Sequence, residues 1–194
     1  MQASTTTEFL PTKKLIRDAL PKIGKGLEQY LAIQKLVHHV NVATDEDFQR
    51  KFNGFYRVRR NAEWRSCFYA MFEREKKGKR ARPFERLLRE FQKSMGRIEG
   101  SFISKMLATL DDEQPVMDSI VLKHCGLRMP AYGAVERRLN RIVENHDALR
   151  ASLIRIRDAE LGQFLVSEFK RRYPDAQISE IKMVDLVLWQ TRSQ

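Results

Sequence analysis

The sequence predicts an all-α protein, and three of its features indicate this. Apolar residues recur at the three- and four-residue spacing of one helix face, as in Phe84, Leu87, Leu88 and Phe91. No stretch alternates apolar and polar residues as a half-buried strand does, and no internal repeat is present. The 194 residues, 42% of them hydrophobic, are enough for one domain or for two lobes that share a core. We therefore expect residues 1–194 to form a single compact helical domain with two lobes.

The ends and the cysteines of the chain predict a cytoplasmic protein, such as one of the bacterial cytosol or nucleoid. No apolar run approaches the length that crosses a bilayer, so no membrane partner is expected. Residues 1–7 are polar and are expected to be flexible, and the N-terminus lacks the features of a signal peptide. Cys67 and Cys125 are too few for a disulfide framework and fit buried thiols in a reducing compartment.

The positive charge is concentrated in one part of the chain. The formal net charge is +11, and the stretch from Arg57 to Lys105 carries fifteen lysines and arginines against six glutamates, a net of +9. Such a cluster is typical of a surface that binds a nucleic acid. An anionic membrane or an acidic protein would also attract it.

The chain before residue 41 predicts a weak helix, a turn and a stronger helix. Helical spacing from Phe9 to Leu20 is interrupted by prolines, and Lys22–Gly26 is expected to be a turn that links two helices. The apolar face of residues 27–40 predicts an amphipathic helix, which opens a basic and aromatic helical lobe over residues 27–97. Thr44 is expected to cap the next helix.

Aromatic and basic side chains alternate after a turn expected at Asn53-Gly54. From Trp64 onward the aromatic residues fall at helical spacing, so most of them are expected to lie in the core. Tyr56 and Trp64 are candidates for a base pocket at the entrance of this helix. The candidates for phosphate or flipped-base contact at the same entrance are Arg57, Arg59, Arg60 and Asn61.

The stretch Glu75–Arg82, which has no apolar residue larger than alanine, predicts a basic loop. Its candidates for phosphate contact are Lys76, Lys77, Lys79 and Arg80. Pro83 is expected to begin the next helix, which runs to Gly96.

Residues 98–127 are expected to form a hairpin-like core with two helices. Ser101 is expected to cap the first helix, which carries Lys105, and Pro115 begins the second. Asp118 lies one turn inside the second helix among apolar neighbours, where a carboxylate is expected to be partly buried.

Residues 131–194 predict the helices that complete the core. A long helix covers Val135–Ile156, and Leu161–Tyr173 forms another that Pro174 stops. Ser179 is expected to cap a last helix that is almost wholly apolar. We therefore expect Leu188 and Trp189 to be packed inside the protein.

The residues around Lys105 and Asp118 resemble a known family. Gly100-Ser101, Ser104-Lys105 and then Pro115, Val116, Asp118, Ser119 and Val121 are similar to the core of helix-hairpin-helix DNA glycosylases, the superfamily of endonuclease III and 8-oxoguanine glycosylase. The closing residues Lys182, Val184, Asp185, Leu188 and Trp189 also resemble the helix that ends several of these domains.

The resemblance implies a fold of this glycosylase type and a base-excision activity. In such an enzyme a damaged or modified nucleotide is flipped out of double-stranded DNA, and the N-glycosidic bond is cleaved. Asp118 would stabilise the positive charge on the sugar, and Lys105 would add a lyase step if it reaches C1′. Gly100 and Ser101 would approach a phosphate. A monomer without a cofactor or metal is expected, and two cysteines exclude the four-cysteine cluster of some relatives.

Two other functions stay open. One is a non-catalytic helical protein that binds nucleic acid with residues 57–82. The other is an adaptor whose basic face binds an acidic protein. A P-loop, a dinucleotide-binding glycine motif, zinc spacing and a nucleophile elbow are all absent from the sequence, which disfavours the enzyme classes that use them.

Overall fold

A computed structural model describes residues 11–78 and 83–191, and within these ranges the chain is helical with no strand. The all-α prediction is thus confirmed. The helices of the described ranges are α1 (Lys13–Val37), α2 (Glu46–Tyr56), α3 (Ala62–Lys77), α4 (Phe84–Met95), α5 (Gly100–Leu110), α6 (Ser119–His124), α7 (Val135–Asp158), α8 (Glu160–Arg172) and α9 (Glu180–Gln190). None of them is long and apolar enough to cross a membrane.

The chain divides into two units. Unit 2 is the continuous segment Gly24–Asp111, and unit 1 combines Met1–Ile23 with Asp112–Gln194. One boundary lies within α1, and the other follows α5. The predicted core of residues 98–127 is therefore shared: Lys105 belongs to unit 2, and Asp118 belongs to unit 1.

Unit 2 is built around aromatic side chains. Phe52 packs against Phe68 and Phe72 with ring centroids 5.8 and 5.5 Å apart, and Trp64 stacks on Phe68 at 4.8 Å. All four rings are buried. Helix α4 packs against both α3 and α5. The prediction that most of these aromatics lie in the core is confirmed, and their burial and ring contacts stabilise the unit.

Unit 1 contains α6 to α9 and the first residues of α1. Helices α7, α8 and α9 pack against each other, and α6 packs against α9. Residues Ile181 to Leu188 of α9 are all buried, as the apolar sequence predicts. Trp189 is only partly buried, so its predicted place inside the core is wrong. It follows eight consecutive buried residues and lies in the last turn of the helix, beside the partly buried Gln190.

Gly162 allows α8 to lie against the end of α7. A Cβ atom at this position would lie 1.8 Å from the carbonyl oxygen of Ile156 and 2.7 Å from that of Arg157. Both are backbone atoms, which cannot turn away as the tip of a side chain can. The close approach of the two helices therefore requires glycine.

Two predicted turns are helical instead. Residues 22–26 lie inside α1, which includes Pro21, and Asn53-Gly54 lies inside α2. The chain turns after Tyr56, where Arg57 adopts a left-handed conformation with φ 53°. Large buried side chains flank both sites, and their burial outweighs the cost of about 1 kcal/mol for each helical glycine.

Three helix starts also differ from the sequence prediction. Asp45 rather than Thr44 caps α2, and its side chain accepts the N–H of Phe48 at 2.7 Å. Helix α5 already begins at Gly100, so Ser101 lies inside the helix and does not cap it. Asp118 is the N-cap of α6 and not a residue one turn inside it. A carboxylate is preferred at an N-cap because it accepts an N–H that the helix leaves unpaired.

Candidate functional site

The arginines after α2 line a recess of unit 2. Its volume is about 460 Å³, and it is lined by Arg59, Arg60, Asn61, Glu63, Trp64, Ser94, Met95 and Arg97. Three of these residues, Arg59, Arg60 and Asn61, were predicted as nucleic-acid contacts. Arg97 comes from the turn after α4, and it was not among the predicted contacts. A recess with three guanidinium groups is suited to an anion such as a phosphate.

A buried glutamate orients this cluster. Glu99 is 6% exposed, and it accepts hydrogen bonds from Arg60 at 3.0 and 3.1 Å and from Arg97 at 3.3 Å. The Arg60 guanidinium also lies over the rings of Trp64 and Phe102, 5.8 and 5.1 Å from their centroids. These contacts hold Arg60 in place. In the sequence, Glu99 is a single acid between Arg97 and Gly100, and nothing in that pattern predicts its burial.

The two base-pocket candidates are buried in unit 2. Trp64 is 2% exposed and Tyr56 is 8% exposed. The indole N–H of Trp64 has no hydrogen-bond acceptor among the described residues. Lys105 lies beside Tyr56, with its Nζ 5.7 Å from the centre of that ring and 4.8 Å from the ring of Phe102. Lys105 is partly buried and makes cation–π contacts with both rings.

Arg57 and Asn61 mark the two ends of the turn between α2 and α3. Arg57 is exposed, and its left-handed backbone costs about 1 kcal/mol for a residue with a Cβ. Asn61 caps α3 by accepting the N–H of Trp64 at 3.0 Å. The side-chain oxygen of Asn61 is therefore used within the fold.

The basic loop predicted after Glu75 is partly helical. Lys76 and Lys77 belong to the last turn of α3, and Lys79 and Arg80 lie outside the described residues. The ammonium group of Lys76 donates to the carbonyl oxygen of Val40 and lies 2.8 Å from Glu73. Its side chain is only 11% exposed. Lys76 therefore lies in a helix and not in the predicted loop. The side chain of Lys77 is 68% exposed and pairs with Glu73 at 3.2 Å.

Two buried glutamates form ion pairs with some of the basic residues of unit 2. Burial alone would raise the pKa of Glu75, but hydrogen bonds from Arg86 and Arg74 lower it below its ordinary value. Burial would also raise the pKa of Glu73. Hydrogen bonds from Lys76, the Val42 N–H and Lys77 lower this pKa below its ordinary value. Both carboxylates are charged at neutral pH.

Asp118 is held at the start of α6 in unit 1. Its Oδ1 accepts the N–H of Ile120 at 2.8 Å, and its side chain is partly buried. Its second oxygen accepts no hydrogen bond from the described residues. The preceding residues Pro115, Val116 and Met117 are buried, which fixes the backbone that carries the carboxylate. Asp118 is thus a carboxylate held through one oxygen, while the other has no hydrogen-bond donor in residues 11–78 and 83–191.

A buried ion pair on α9 lies in the same unit. Lys182 Nζ is 2.8 Å from Asp185 Oδ2, and the two side chains are 2% and 8% exposed. Burial raises the pKa of the Asp185 carboxyl, the ammonium of Lys182 opposes this, and the charge of Asp118 raises it further. Oδ1 of Asp185 has no partner among the described residues. The i, i+3 spacing of these two residues on an apolar helix is the sequence signal that predicts such a pair.

No family model, curated protein or solved structure matches this chain. In the part of the chain that the structure describes, no group of three or more histidines, cysteines, aspartates and glutamates is placed to hold a metal ion. The candidate residues are therefore the arginine recess and Lys105, which belong to unit 2, and Asp118, which belongs to unit 1.

Proposed function

We propose that the protein is a DNA N-glycosylase of the helix-hairpin-helix type that excises a damaged or modified base from double-stranded DNA. Asp118 stabilises the sugar cation that forms when the N-glycosidic bond breaks, and it orients the attacking water. The observation that carries this proposal is the geometry of Asp118, whose Oδ1 is fixed by the Ile120 N–H while the other oxygen accepts no hydrogen bond within the described part of the chain. A charge that is fixed before the reaction does not need to reorganise during it, which is how enzymes stabilise developing charge.

The ion pair of Lys182 and Asp185 supports a functional role for this region. Two charges that are almost fully removed from water commonly contribute little to stability, because their desolvation offsets their attraction. Perturbed ionisable groups in a cluster are therefore candidates for a functional site. The charge of Asp118 adds to the effect of burial in raising the pKa of Asp185.

The arginine recess supports DNA as the substrate. Arg59, Arg60 and Arg97 present guanidinium groups at one concave surface, and α5 begins next to Glu99 with Gly100 and Ser101. Phosphate groups bind at such sites through charge and hydrogen bonds, without reading sequence. In this proposal Lys105 attacks C1′ after base release and adds the lyase step through a Schiff base.

The test is base release from duplexes that each contain one modified base, followed by alkali to cut abasic sites. Asp118→Asn should reduce the excision rate by on the order of a hundredfold or more, because it removes a charge that stabilises the transition state. Asp45→Asn is the matched control, since Asp45 is also a helix N-cap whose side chain accepts a backbone N–H. It should share any small loss of helix stability and keep the parent's rate. Equal rates for Asp118→Asn and the parent would reject the proposal.

The lyase step has its own readout. Lys105→Ala should leave base release intact and remove strand nicking and borohydride trapping. Trapping that persists in Lys105→Ala would assign the nucleophile to another amine. Absence of trapping in the parent protein would make it a glycosylase without a lyase step.

The second candidate function is nucleic-acid binding without chemistry, which the arginine recess favours by itself. It predicts salt-sensitive binding of all duplexes and no base release from any of them. Parent protein that binds DNA but excises none of a broad panel of modified bases would favour this function.

A further inference from the structure

The connection between α6 and α7 is unlike the rest of the described surface. Tyr132 is 93% exposed, and Met129 and Val135 are 37% and 47% exposed. These three are the only exposed large hydrophobic side chains in residues 11–78 and 83–191. Met129 and Tyr132 lie in this connection and Val135 is the first residue of α7, so all three fall within residues 129–135 of unit 1. Exposed apolar side chains that cluster in this way are candidates for contact with a partner.

The connection is anchored at its first residues. Leu127 N–H donates to the carbonyl oxygen of Leu122 at 2.8 Å, and the buried Asn145 of α7 donates to the carbonyl oxygen of Arg128 at 2.8 Å. Gly133 turns the chain with φ 113°, a conformation that favours glycine. These hydrogen bonds fix residues 127 and 128, and the turn at Gly133 leaves the Tyr132 ring in solvent.

Positive charge surrounds the exposed ring. A recess of about 550 Å³ is lined by Pro130, Tyr132, Arg137, Arg138, Asn140, Arg141 and Glu144. Arg141 pairs with Glu144 at 3.0 Å. Arg137 and Arg138 have no acidic partner among the described residues, and the Nε of Arg138 is buried without a hydrogen bond there. The recess thus combines an aromatic surface with uncompensated guanidinium groups.

We propose that residues 128–138 form a nucleic-acid-binding surface in which Tyr132 stacks on an unpaired base and Arg137 and Arg138 contact the adjacent phosphates. Aromatic stacking with arginines along the backbone is the usual way in which proteins bind single strands without sequence preference. A membrane-binding segment instead presents a continuous apolar helix face, whereas α7 begins with Val135 followed by Glu136, Arg137 and Arg138. This surface lies in unit 1 and does not require excision by Asp118, so it goes beyond the proposed function.

Three labelled DNA ligands test the surface by fluorescence anisotropy: a single strand, its perfect duplex, and the same duplex with one bulged nucleotide. Tyr132→Ala should weaken binding of the single strand and the bulged duplex roughly tenfold, the effect of removing one stacked base. It should leave the perfect duplex nearly unchanged. Tyr132→Phe keeps the ring and should bind like the parent. Because Tyr132 is 93% exposed, neither substitution should change thermal unfolding.

The arginines have a separate readout. Replacing Arg137 and Arg138 together by glutamine should reduce the slope of log affinity against log salt for all three ligands, by about 0.7 to 0.9 for each phosphate that is no longer neutralised. An RNA strand of the same sequence distinguishes a general single-strand surface from one that prefers DNA. Affinities of Tyr132→Ala for the single strand and the bulged duplex that equal the parent's would overturn the proposal, and so would Tyr132-dependent binding to vesicles of anionic phospholipid.

The outcome is independent of the glycosylase test. Excision that is abolished in Asp118→Asn while Tyr132→Ala binds like the parent would reject this surface alone. A stacking effect of Tyr132 in a protein that excises no base would reject the proposed function alone.

Discussion

Arg60 binds both carboxylate oxygens of Glu99, with Nε 3.0 Å from Oε1 and Nη2 3.1 Å from Oε2. Arg97 donates to the same Oε1 at 3.3 Å, so two guanidinium groups share one buried negative charge. This two-point geometry fixes the plane of the Arg60 guanidinium. An anion entering the recess would meet an arginine that is already oriented.

Glu99→Gln should separate the stability of this cluster from its affinity for DNA. Glutamine keeps the size of the side chain and removes the shared charge. We expect a decrease of about 1 to 3 kcal/mol in the free energy of unfolding, the usual contribution of hydrogen bonds to a charged group. Affinity for DNA should rise, because Arg60 and Arg97 are released from their acid. Denaturant unfolding and anisotropy titrations measure the two effects.

Glu63→Gln is the control for that experiment. Glu63 lines the same recess but is exposed and has no ion pair with the described residues. Its replacement should raise the affinity for DNA slightly and change the stability by less than about 0.5 kcal/mol. A similar decrease of stability in both variants would show that Glu99 does not act through its ion pairs.

Arg57 is expected to lower stability while it contributes to DNA binding. Its φ of 53° strains a residue with a Cβ. Arg57→Gly should therefore be more stable than Arg57→Ala by about 1 kcal/mol, and both variants should show the same small decrease in affinity for DNA. Thermal unfolding and the salt dependence of binding measure this. A glycine variant no more stable than the alanine variant would contradict the strain.

Two glycines provide opposite outcomes for the same substitution. Gly54 lies in α2 with nothing within 4 Å of an added Cβ, so Gly54→Ala should stabilise the protein by roughly 0.5 to 1 kcal/mol. Gly162→Ala would place its Cβ 1.8 Å from the Ile156 oxygen and should cost at least about 2 kcal/mol. Denaturant unfolding compares them. A destabilised Gly54→Ala would mean that residue 54 lies in a turn that requires glycine.

His146 should make stability depend on pH in a defined window. Burial lowers the pKa of His146 from 6.5 to about 4, although Asp147 opposes this. Between these values the unfolded chain binds a proton that the folded protein does not bind. Stability should therefore rise with pH from about 4 to 6.5 and then level off, with a total effect of up to about 3 kcal/mol. His146→Gln should reduce this slope, and an unchanged slope would exclude His146 as its source.

The sequence predicts the fold class and most helices, but it misplaces turns. Asn53-Gly54 and Lys22–Gly26 carry strong local turn signals, yet both segments are helical. Burying one large side chain is worth about 1.5 to 3 kcal/mol, which exceeds the propensity cost of a glycine. The burial of Ile23 and Phe52 depends on the tertiary structure, and local sequence patterns do not contain it.

The candidate residues are harder to predict from the sequence than the fold, because a count of charges does not show which basic residues pair with acids or carbonyl oxygens. Arg60 meets Glu99 across 39 residues of sequence, and Val40 supplies an acceptor to Lys76 across 36. The resemblance to the glycosylase core selects Asp118, but its position as the N-cap of α6 after a buried segment is seen only in the structure.

The division of the chain has a consequence for its synthesis on the ribosome. All of unit 2 is encoded between residues 24 and 111, so its aromatic core can assemble once that segment has left the exit tunnel. Unit 1 must wait, because its first residues precede this segment and α7, α8 and α9 follow it. Domains generally fold as units during translation. We expect unit 2 to fold first in the nascent chain and unit 1 to fold after it, with the apolar helix α9 packing last.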